Sequence, residues 1–165
     1  TVGEHLGSIK GTKLAYLGDG NNVTNSLLVA GAILGVNVTC FCPLGKGPDV
    51  QIFNKAAEIA RKNGSKLEVL SDPSKISGFD VIYTDTWVSM GDNTPLDSVR
   101  KLYMPFQIND EMVEKSGAKI VLHCLPAHRG YEITDSVMDG PKSAVFDEAE
   151  NRLHIHMALL AKLVG

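Results

Sequence analysis

Three features that mark other classes of protein are missing from this sequence of 165 residues. No apolar run approaches the roughly 18 residues that a membrane-spanning helix needs. The formal net charge of -3 provides no basic surface for nucleic acid. The three cysteines, Cys40, Cys42 and Cys124, are an odd number without framework spacing, which indicates a reducing compartment. We therefore expect a cytoplasmic protein that binds neither membranes nor nucleic acid.

What is present suits one globular domain with its own core. Hydrophobic residues make up 44% of the chain and charged residues 21%. Cys40 and Cys42 alternate with Phe41, so they share one face of a strand and are expected to be small core residues. A metal-binding pair is the alternative, but no partner ligands are spaced to complete it.

Short apolar, β-branched runs alternate with helical patterns along the chain. Strands are predicted at 12–17, 36–41, 66–70, 79–84 and 119–122, with a further short strand as an option at 143–146. Helices are predicted at 23–34, 50–62, 96–102, 109–116, 134–138 and 147–163, with a brief helical turn starting at 72–74. This order predicts an α/β fold, a doubly wound, mostly parallel, five-stranded Rossmann-like sheet with helices on both faces. One domain should span 1–165, with residues 1–10 as a lead-in that holds little core.

The turn after the first predicted strand resembles part of a dinucleotide-binding fingerprint. Gly18-Asp19-Gly20 opens a helix there, but Val23 stands where that fingerprint has its third glycine. A tight turn without a ligand and a ligand contact are equally compatible with this pattern. Asn22 is the residue best suited to a ligand, because its amide can both donate and accept hydrogen bonds.

Two predicted strands end in polar or nucleophilic residues. Asp85 and Ser89 follow one strand, and His123 and Cys124 follow another. Carboxyl ends of parallel strands line one crevice, so these groups are expected to face a common site, where Asp85 suits a ligand ammonium. The irregular loop 85–108 supports a functional role. The alternatives are that Asp85 caps a helix and that Cys124 is a buried strand-end residue. His123 should face away from Cys124, because neighbouring strand residues point in opposite directions.

The last predicted helix begins with acidic residues and then carries Arg152. A guanidinium at this place can be directed into a site, where it would bind an oxygen-rich group. A surface ion pair is the alternative and is the commoner role of such residues.

Four segments of this chain together resemble the second domain of the ornithine carbamoyltransferase family: GDGNN, DTWVSMG, HCLPAHRG and FDEAENRLH. The resemblance covers nearly the whole chain. It implies that Asn22, Asp85, Ser89 and Met90 bind L-ornithine, and that Cys124, Leu125 and Arg152 contact the carbamoyl group of carbamoyl phosphate.

The resemblance also implies a mechanism. Asp85 and Cys124 would orient the side-chain amine of ornithine and help remove its proton, and Arg152 would stabilise the oxyanion that forms. Residues 89 to 91 would close over the amino acid. Citrulline and phosphate would be the products, with no cofactor or metal needed.

The family's upstream carbamoyl-phosphate-binding domain has no counterpart in this sequence. We therefore expect the chain alone to be inactive, and the full enzyme to be a homotrimer or a multiple of it. A non-catalytic amino-acid-binding module and a dinucleotide-dependent oxidoreductase domain are the alternative functions. The absence of an acid at the end of the second strand, near Phe41-Cys42-Pro43, argues against the oxidoreductase.

Overall fold

A computed structural model describes residues 1–89 and 91–165 of the chain. Its centre is a five-stranded sheet in the order β3-β2-β1-β4-β5. All paired strands run parallel. The strands are β1 (Lys13–Leu17), β2 (Asn37–Phe41), β3 (Leu67–Leu70), β4 (Val81–Thr84) and β5 (Ile120–His123). The order reverses direction at β1, so the crevice of the sheet opens beside the ends of β1 and β4.

Seven α-helices surround this sheet within the described residues: α1 (Val2–Leu6), α2 (Asn22–Leu34), α3 (Val50–Asn63), α4 (Leu96–Tyr103), α5 (Asp110–Ser116), α6 (Asp135–Met138) and α7 (Val145–Val164). Short 3-10 turns lie at Pro73–Lys75 and Met104–Phe106. The Asn21 side chain caps α2 by accepting the N–H groups of Val23 and Thr24, and Gly35 ends the helix with a left-handed φ of 74°.

Each face of the sheet packs its own apolar cluster, as a doubly wound sheet requires. One cluster joins alternate residues of the strands, such as Tyr16 and Val38, to Leu28 of α2. The other joins the intervening residues, such as Leu17 and Ile82, to Val113 of α5. The predicted α/β fold with helices on both faces is therefore confirmed, and the sheet is parallel throughout.

One sequence expectation is corrected, and one helix is added to those predicted. The optional strand at 143–146 is wrong, because Ser143 forms only an isolated parallel bridge to Val121 before α7 begins at Val145. Residues 1–10 contain α1, which sequence reasoning had not assigned, and its Val2 and Leu6 pack against the core. A contact between His5 Nε2 and Asp147 Oδ2 at 2.7 Å holds α1 beside the start of α7.

None of the helices formed by the described residues is long and apolar enough to cross a membrane.

Candidate active site

A cavity of about 730 Å³ opens where β4 and β5 end and α2 and α7 begin. Most of the predicted site residues line it, although they come from distant parts of the sequence. Its walls are formed by Thr1, Asn22, Val23, Asp85, Thr86, Ser89, Cys124, Leu125, Pro126, Glu148, Ala149, Asn151, Arg152, Ile155 and His156. The strand ends therefore meet at one site, as the sequence pattern predicted.

The buried Asp85 carboxylate is the centre of a hydrogen-bond network in this cavity. Its Oδ2 accepts Asn21 Nδ2 at 2.8 Å. Its Oδ1 accepts the Thr86 backbone N–H at 2.8 Å and the Cys124 thiol at 3.0 Å. Asp85 does not cap a helix, because α4 begins only at Leu96. The capping alternative is thus excluded, and three hydrogen bonds hold the carboxylate at the cavity.

Cys124 carries a half-buried thiol, which donates a hydrogen bond to the Asp85 carboxylate. Burial raises the pKa of this thiol to about 12, and the hydrogen bond to Asp85 and the charges of Asp85 and Glu148 act in the same direction. The group is therefore a neutral thiol at neutral pH, which makes it a hydrogen-bond partner rather than a nucleophile or a base.

The backbone after Cys124 bends sharply to place Leu125 at the cavity wall. Leu125 has a φ of 55°, a left-handed conformation that is unusual for this residue type. Its N–H donates to His123 Nδ1 at 2.9 Å, and His123 Nε2 lies 3.3 Å from Oε1 of the buried Glu132. The His123 side chain is fully buried. The expectation that it faces away from the thiol is wrong, because a ring nitrogen of His123 lies within 4.8 Å of Cys124 Sγ, as the sharp bend after β5 allows.

Asp85, His123 and Cys124 offer ligand atoms that lie within 4.8 Å of one another, a spacing compatible with a metal ion. Each of these residues is already engaged in the hydrogen bonds described above. His123 in particular has a partner at both ring nitrogens, so a metal would have to displace Leu125 N–H or Glu132. The expectation of a metal-free site stays a prediction.

The glycines of the first βα turn serve the packing of the chain on itself. A Cβ on Gly20 would lie 2.1 Å from the carbonyl carbon of Gly47, so only glycine fits there. The Gly20 N–H donates to the Lys46 carbonyl at 2.8 Å. The chain's own residues 46 to 48 therefore account for the glycine at position 20, which removes the need to explain it by a dinucleotide and weakens the oxidoreductase alternative.

Comparison with known proteins agrees with the four motifs at this site. The family described as "Aspartate/ornithine carbamoyltransferase, Asp/Orn binding domain" matches residues 10–163. The chain belongs to this family.

Individual members of the carbamoyltransferase family are similar over almost all of the chain. Ornithine carbamoyltransferase of Moritella profunda is 52% identical over 164 residues, which are 99% of this chain and 54% of that protein. The corresponding protein of Thermococcus kodakarensis is 47% identical over 167 residues and 53% of its own length. The chain thus spans about half the length of the curated relatives it matches.

A solved carbamoyltransferase structure has the same fold. Ornithine carbamoyltransferase from Pyrococcus furiosus superposes with a TM-score of 0.90 at 47% identity, and the match covers 97% of this chain and 52% of that one. The enzyme from Gloeobacter violaceus also gives a TM-score of 0.90, at 44% identity.

The structure brings together six of the seven residues that the carbamoyltransferase resemblance had indicated. They are Asn22, Asp85, Ser89, Cys124, Leu125 and Arg152, all of which line the cavity. Met90 lies outside the described residues. The ligand roles of all seven stay predictions.

Two residues that sequence reasoning missed belong to the same site. Asn21, rather than its neighbour Asn22, supports Asp85, and Glu148 lines the cavity and bonds to the sheet. Asn21 had a partial signal, since an asparagine before a helical pattern is a usual cap, but the pattern predicted from position 23 favoured Asn22 over Asn21. Glu148 had none, because an acid in the first turn of a helix is also favoured by the helix dipole alone.

Proposed function

We propose that this chain is the L-ornithine-binding half of an ornithine carbamoyltransferase. In that reaction the side-chain amine of L-ornithine attacks the carbamoyl carbon of carbamoyl phosphate, and L-citrulline and phosphate are released. Family membership is common to aspartate and ornithine enzymes, so the choice between them depends on the chemistry of the site.

The charge of the cavity favours ornithine over aspartate, and this observation carries the proposal. Two carboxylates, Asp85 and Glu148, and one guanidinium, Arg152, line the cavity. The side-chain amino group of ornithine complements the Asp85 carboxylate, and the net positive charge of ornithine suits a wall with two carboxylates and one guanidinium. Aspartate carries two carboxylates, and the second one would meet Asp85 without a further side-chain cation among the described wall residues.

Asp85 and Cys124 would act together on the attacking amine. The amine has to be neutral to attack, and the Asp85 carboxylate is the acceptor available to orient an N–H of it. The Cys124 thiol, which already donates to Asp85, would hold that carboxylate in place and contact the amine without taking its proton. This role differs from joint proton removal by both groups, because the raised pKa keeps the thiol protonated.

Arg152 would bind the carbamoyl oxygen, on which negative charge develops during attack. The guanidinium lies on α7 at the cavity wall. Within the part of the chain that the structure describes, no carboxylate forms an ion pair with Arg152 at 4.0 Å or less. The surface ion-pair alternative therefore has no support in this structure, and the charge is available to a ligand.

The other partners are also proposals. The half of the relatives' length that this chain does not match would supply the site for the phosphate group of carbamoyl phosphate. We propose further that the full enzyme is a cytoplasmic homotrimer. It would need no cofactor and would bind neither nucleic acid nor membranes.

An amide NMR titration of the chain with L-ornithine tests the function, with L-aspartate, putrescine and NADH as comparators. L-ornithine should shift the amide signals of Asn22, Asp85 and Ser89, and none of the three comparators should do so. Asp85→Asn should abolish these shifts, whereas Glu58→Gln, which changes an exposed acid on α3, should not. A response to aspartate or NADH instead would contradict the proposal.

A non-catalytic amino-acid-binding module remains the second candidate, because the same cavity would hold ornithine in either case. It predicts that carbamoyl phosphate changes neither the affinity for ornithine nor the pattern of shifts. The carbamoyltransferase proposal predicts additional shifts at Arg152 and Leu125 when carbamoyl phosphate is present.

A further inference from the structure

The Glu148 carboxylate connects α7 to two strands of the sheet beside the cavity. Its Oε1 accepts the Tyr83 hydroxyl of β4 at 2.7 Å, and its Oε2 accepts the backbone N–H of His123, the last residue of β5, at 3.1 Å. Both oxygens are thus satisfied by the sheet. A residue that only complemented the helix dipole would instead point to solvent.

Arg152 lies one turn after Glu148 on α7, so the two side chains share a face of the helix and both line the cavity. Cys124 directly follows His123 in the chain, so the bond to the His123 N–H fixes the backbone next to the thiol. A single carboxylate therefore bonds to the residue that directly precedes Cys124, and it fixes the turn of α7 that precedes Arg152.

We propose that Glu148 is a positioning residue of the active site, which sets Arg152 and Cys124 at a fixed distance by joining α7 to Tyr83 and the His123 N–H. This inference rests on the proposed function only in assuming that Arg152 and Cys124 contact the substrates. Glu148 itself does not contact the reacting atoms, because neither of its oxygens is free.

The groups that face Glu148 come from three elements. They are Tyr83 of β4, His123 of β5 and Arg152 of α7, with the Cys124 thiol beside them. Burial raises the pKa of Glu148, and the charge of Glu148 in turn contributes to the raised pKa of Cys124. Glu148 therefore has two separable effects, one through its contacts and one through its charge.

Cys124 alkylation by iodoacetamide provides a readout that a purely structural role would not change. Mass spectrometry distinguishes this thiol from Cys40 and Cys42, which are buried. In Glu148→Gln the lost negative charge should raise the alkylation rate at mildly alkaline pH by about threefold or more, because more of the thiol ionises.

Two further variants separate contact from charge. Glu148→Asp keeps the charge but withdraws the carboxylate, so the amide signals of His123 and Arg152 should move without the rise in alkylation rate. Glu150→Gln, which neutralises an exposed acid on the same helix outside the cavity wall, should match the unchanged chain in both readouts.

Unchanged amide signals in both Glu148 variants, or an alkylation profile of Glu148→Gln equal to that of Glu150→Gln, would overturn the inference. If Glu148→Gln fails to fold, the amide signals of Glu148→Asp decide the question. Neither readout uses ornithine or carbamoyl phosphate. A failure of ornithine to bind would therefore contradict the proposed function and leave this test intact.

Discussion

Asn21 performs two tasks with one side chain, and single residues of this kind organise the site. Its Oδ1 accepts the N–H groups of Val23 and Thr24 at the start of α2, while its Nδ2 donates to Asp85. The amide is suited to this because it carries an acceptor and a donor on one planar group. The start of α2 and the orientation of Asp85 are consequently coupled.

Replacing Asn21 should affect both stability and binding, whereas replacing a cap elsewhere should affect stability only. Asn21→Ala should lower the free energy of unfolding by about 1 kcal/mol through the lost cap. Asn109→Ala, which removes the cap that accepts Met112 N–H on α5, should cost a similar amount. Urea denaturation measures this, and an ornithine titration should show weaker binding by about tenfold for Asn21→Ala alone. Equal affinities in the two variants would contradict the coupling.

The thiols make the folded chain sensitive to alkaline pH. Burial raises the pKa of Cys42 and of Cys124 to about 12, from an ordinary value of 9.0. Below the ordinary pKa both folded and unfolded thiols are protonated, so the stability is fully present there. As the pH rises from about 9 towards 12, the unfolded thiols lose protons first and stability is lost.

Cys124→Ser isolates the contribution of the site thiol, because a serine hydroxyl does not ionise in this range. The free energy of unfolding of the variant should fall less steeply than that of the unchanged chain above pH 9. Urea denaturation at a series of alkaline pH values gives both slopes. Parallel slopes would show that the pKa of this thiol is the same in the folded and unfolded states.

At the scale of elements, α7 consists of two parts with different surroundings. Its first turn is held by buried Val145 and by Glu148, whereas the residues from Arg152 to the end are exposed. Leu153, Met157 and Leu160 lie at helical spacing on one side and are each more than half exposed. Only the first part of α7 therefore contributes apolar burial to the stability of this chain.

This division predicts that two leucine substitutions lower the free energy of unfolding by very different amounts. Leu160→Gln, at a position with 61% exposure, should change the free energy of unfolding by no more than about 0.5 kcal/mol. Leu28→Ala on α2, where the side chain is 0% exposed, should cost about 2 to 5 kcal/mol. Thermal and urea unfolding by circular dichroism compare them. A large loss of unfolding free energy in Leu160→Gln would mean that the part of α7 from Arg152 onwards packs against the domain.

An aromatic cluster positions the segment that leads to Ser89. Buried Trp87 stacks on Tyr103 of α4 with ring centroids 5.6 Å apart, and it meets Tyr131 edge-on at 6.1 Å. The Tyr103 hydroxyl also donates to Asp19 in the first βα turn at 2.5 Å. The irregular connection after β4 is thus held by Tyr103, which is itself bonded to the first βα turn, and by Tyr131.

At the scale of the whole molecule, the cavity holds only part of what the proposed reaction needs. Arg152 is the only arginine among the described wall residues, whereas a phosphate group with two negative charges requires several donors. The chain also matches about half of each relative's length. We therefore expect this chain to bind ornithine without turning over carbamoyl phosphate.

The purified chain should form no citrulline from L-ornithine and carbamoyl phosphate. A colorimetric citrulline assay tests this, with the full-length ornithine carbamoyltransferase of Moritella profunda as the positive control. Citrulline formed by the chain, and lost in Arg152→Ala, would contradict the division of the site between two halves.

The sequence predicted the five strands with boundaries within two residues of those observed, because alternation, turn residues and helix caps act locally. The optional strand at 143–146 failed for a nonlocal reason. The backbone there contacts β5 through Val121, but the start of α7 at Val145 limits the pairing to one bridge. A short apolar run does not contain that information.

By itself, the sequence determined the α/β order of elements and the polar residues that end β4 and β5. It also contains the motifs that establish the family. The tertiary structure alone decided that Asn21 supports Asp85, that Glu148 joins Tyr83 to α7, and that the loop at Gly47 covers Gly20. The physical reason is sequence separation. Asn21 and Asp85 are 64 residues apart, as Tyr83 and Glu148 are 65, and only packing of the sheet and helices brings such pairs within hydrogen-bond distance.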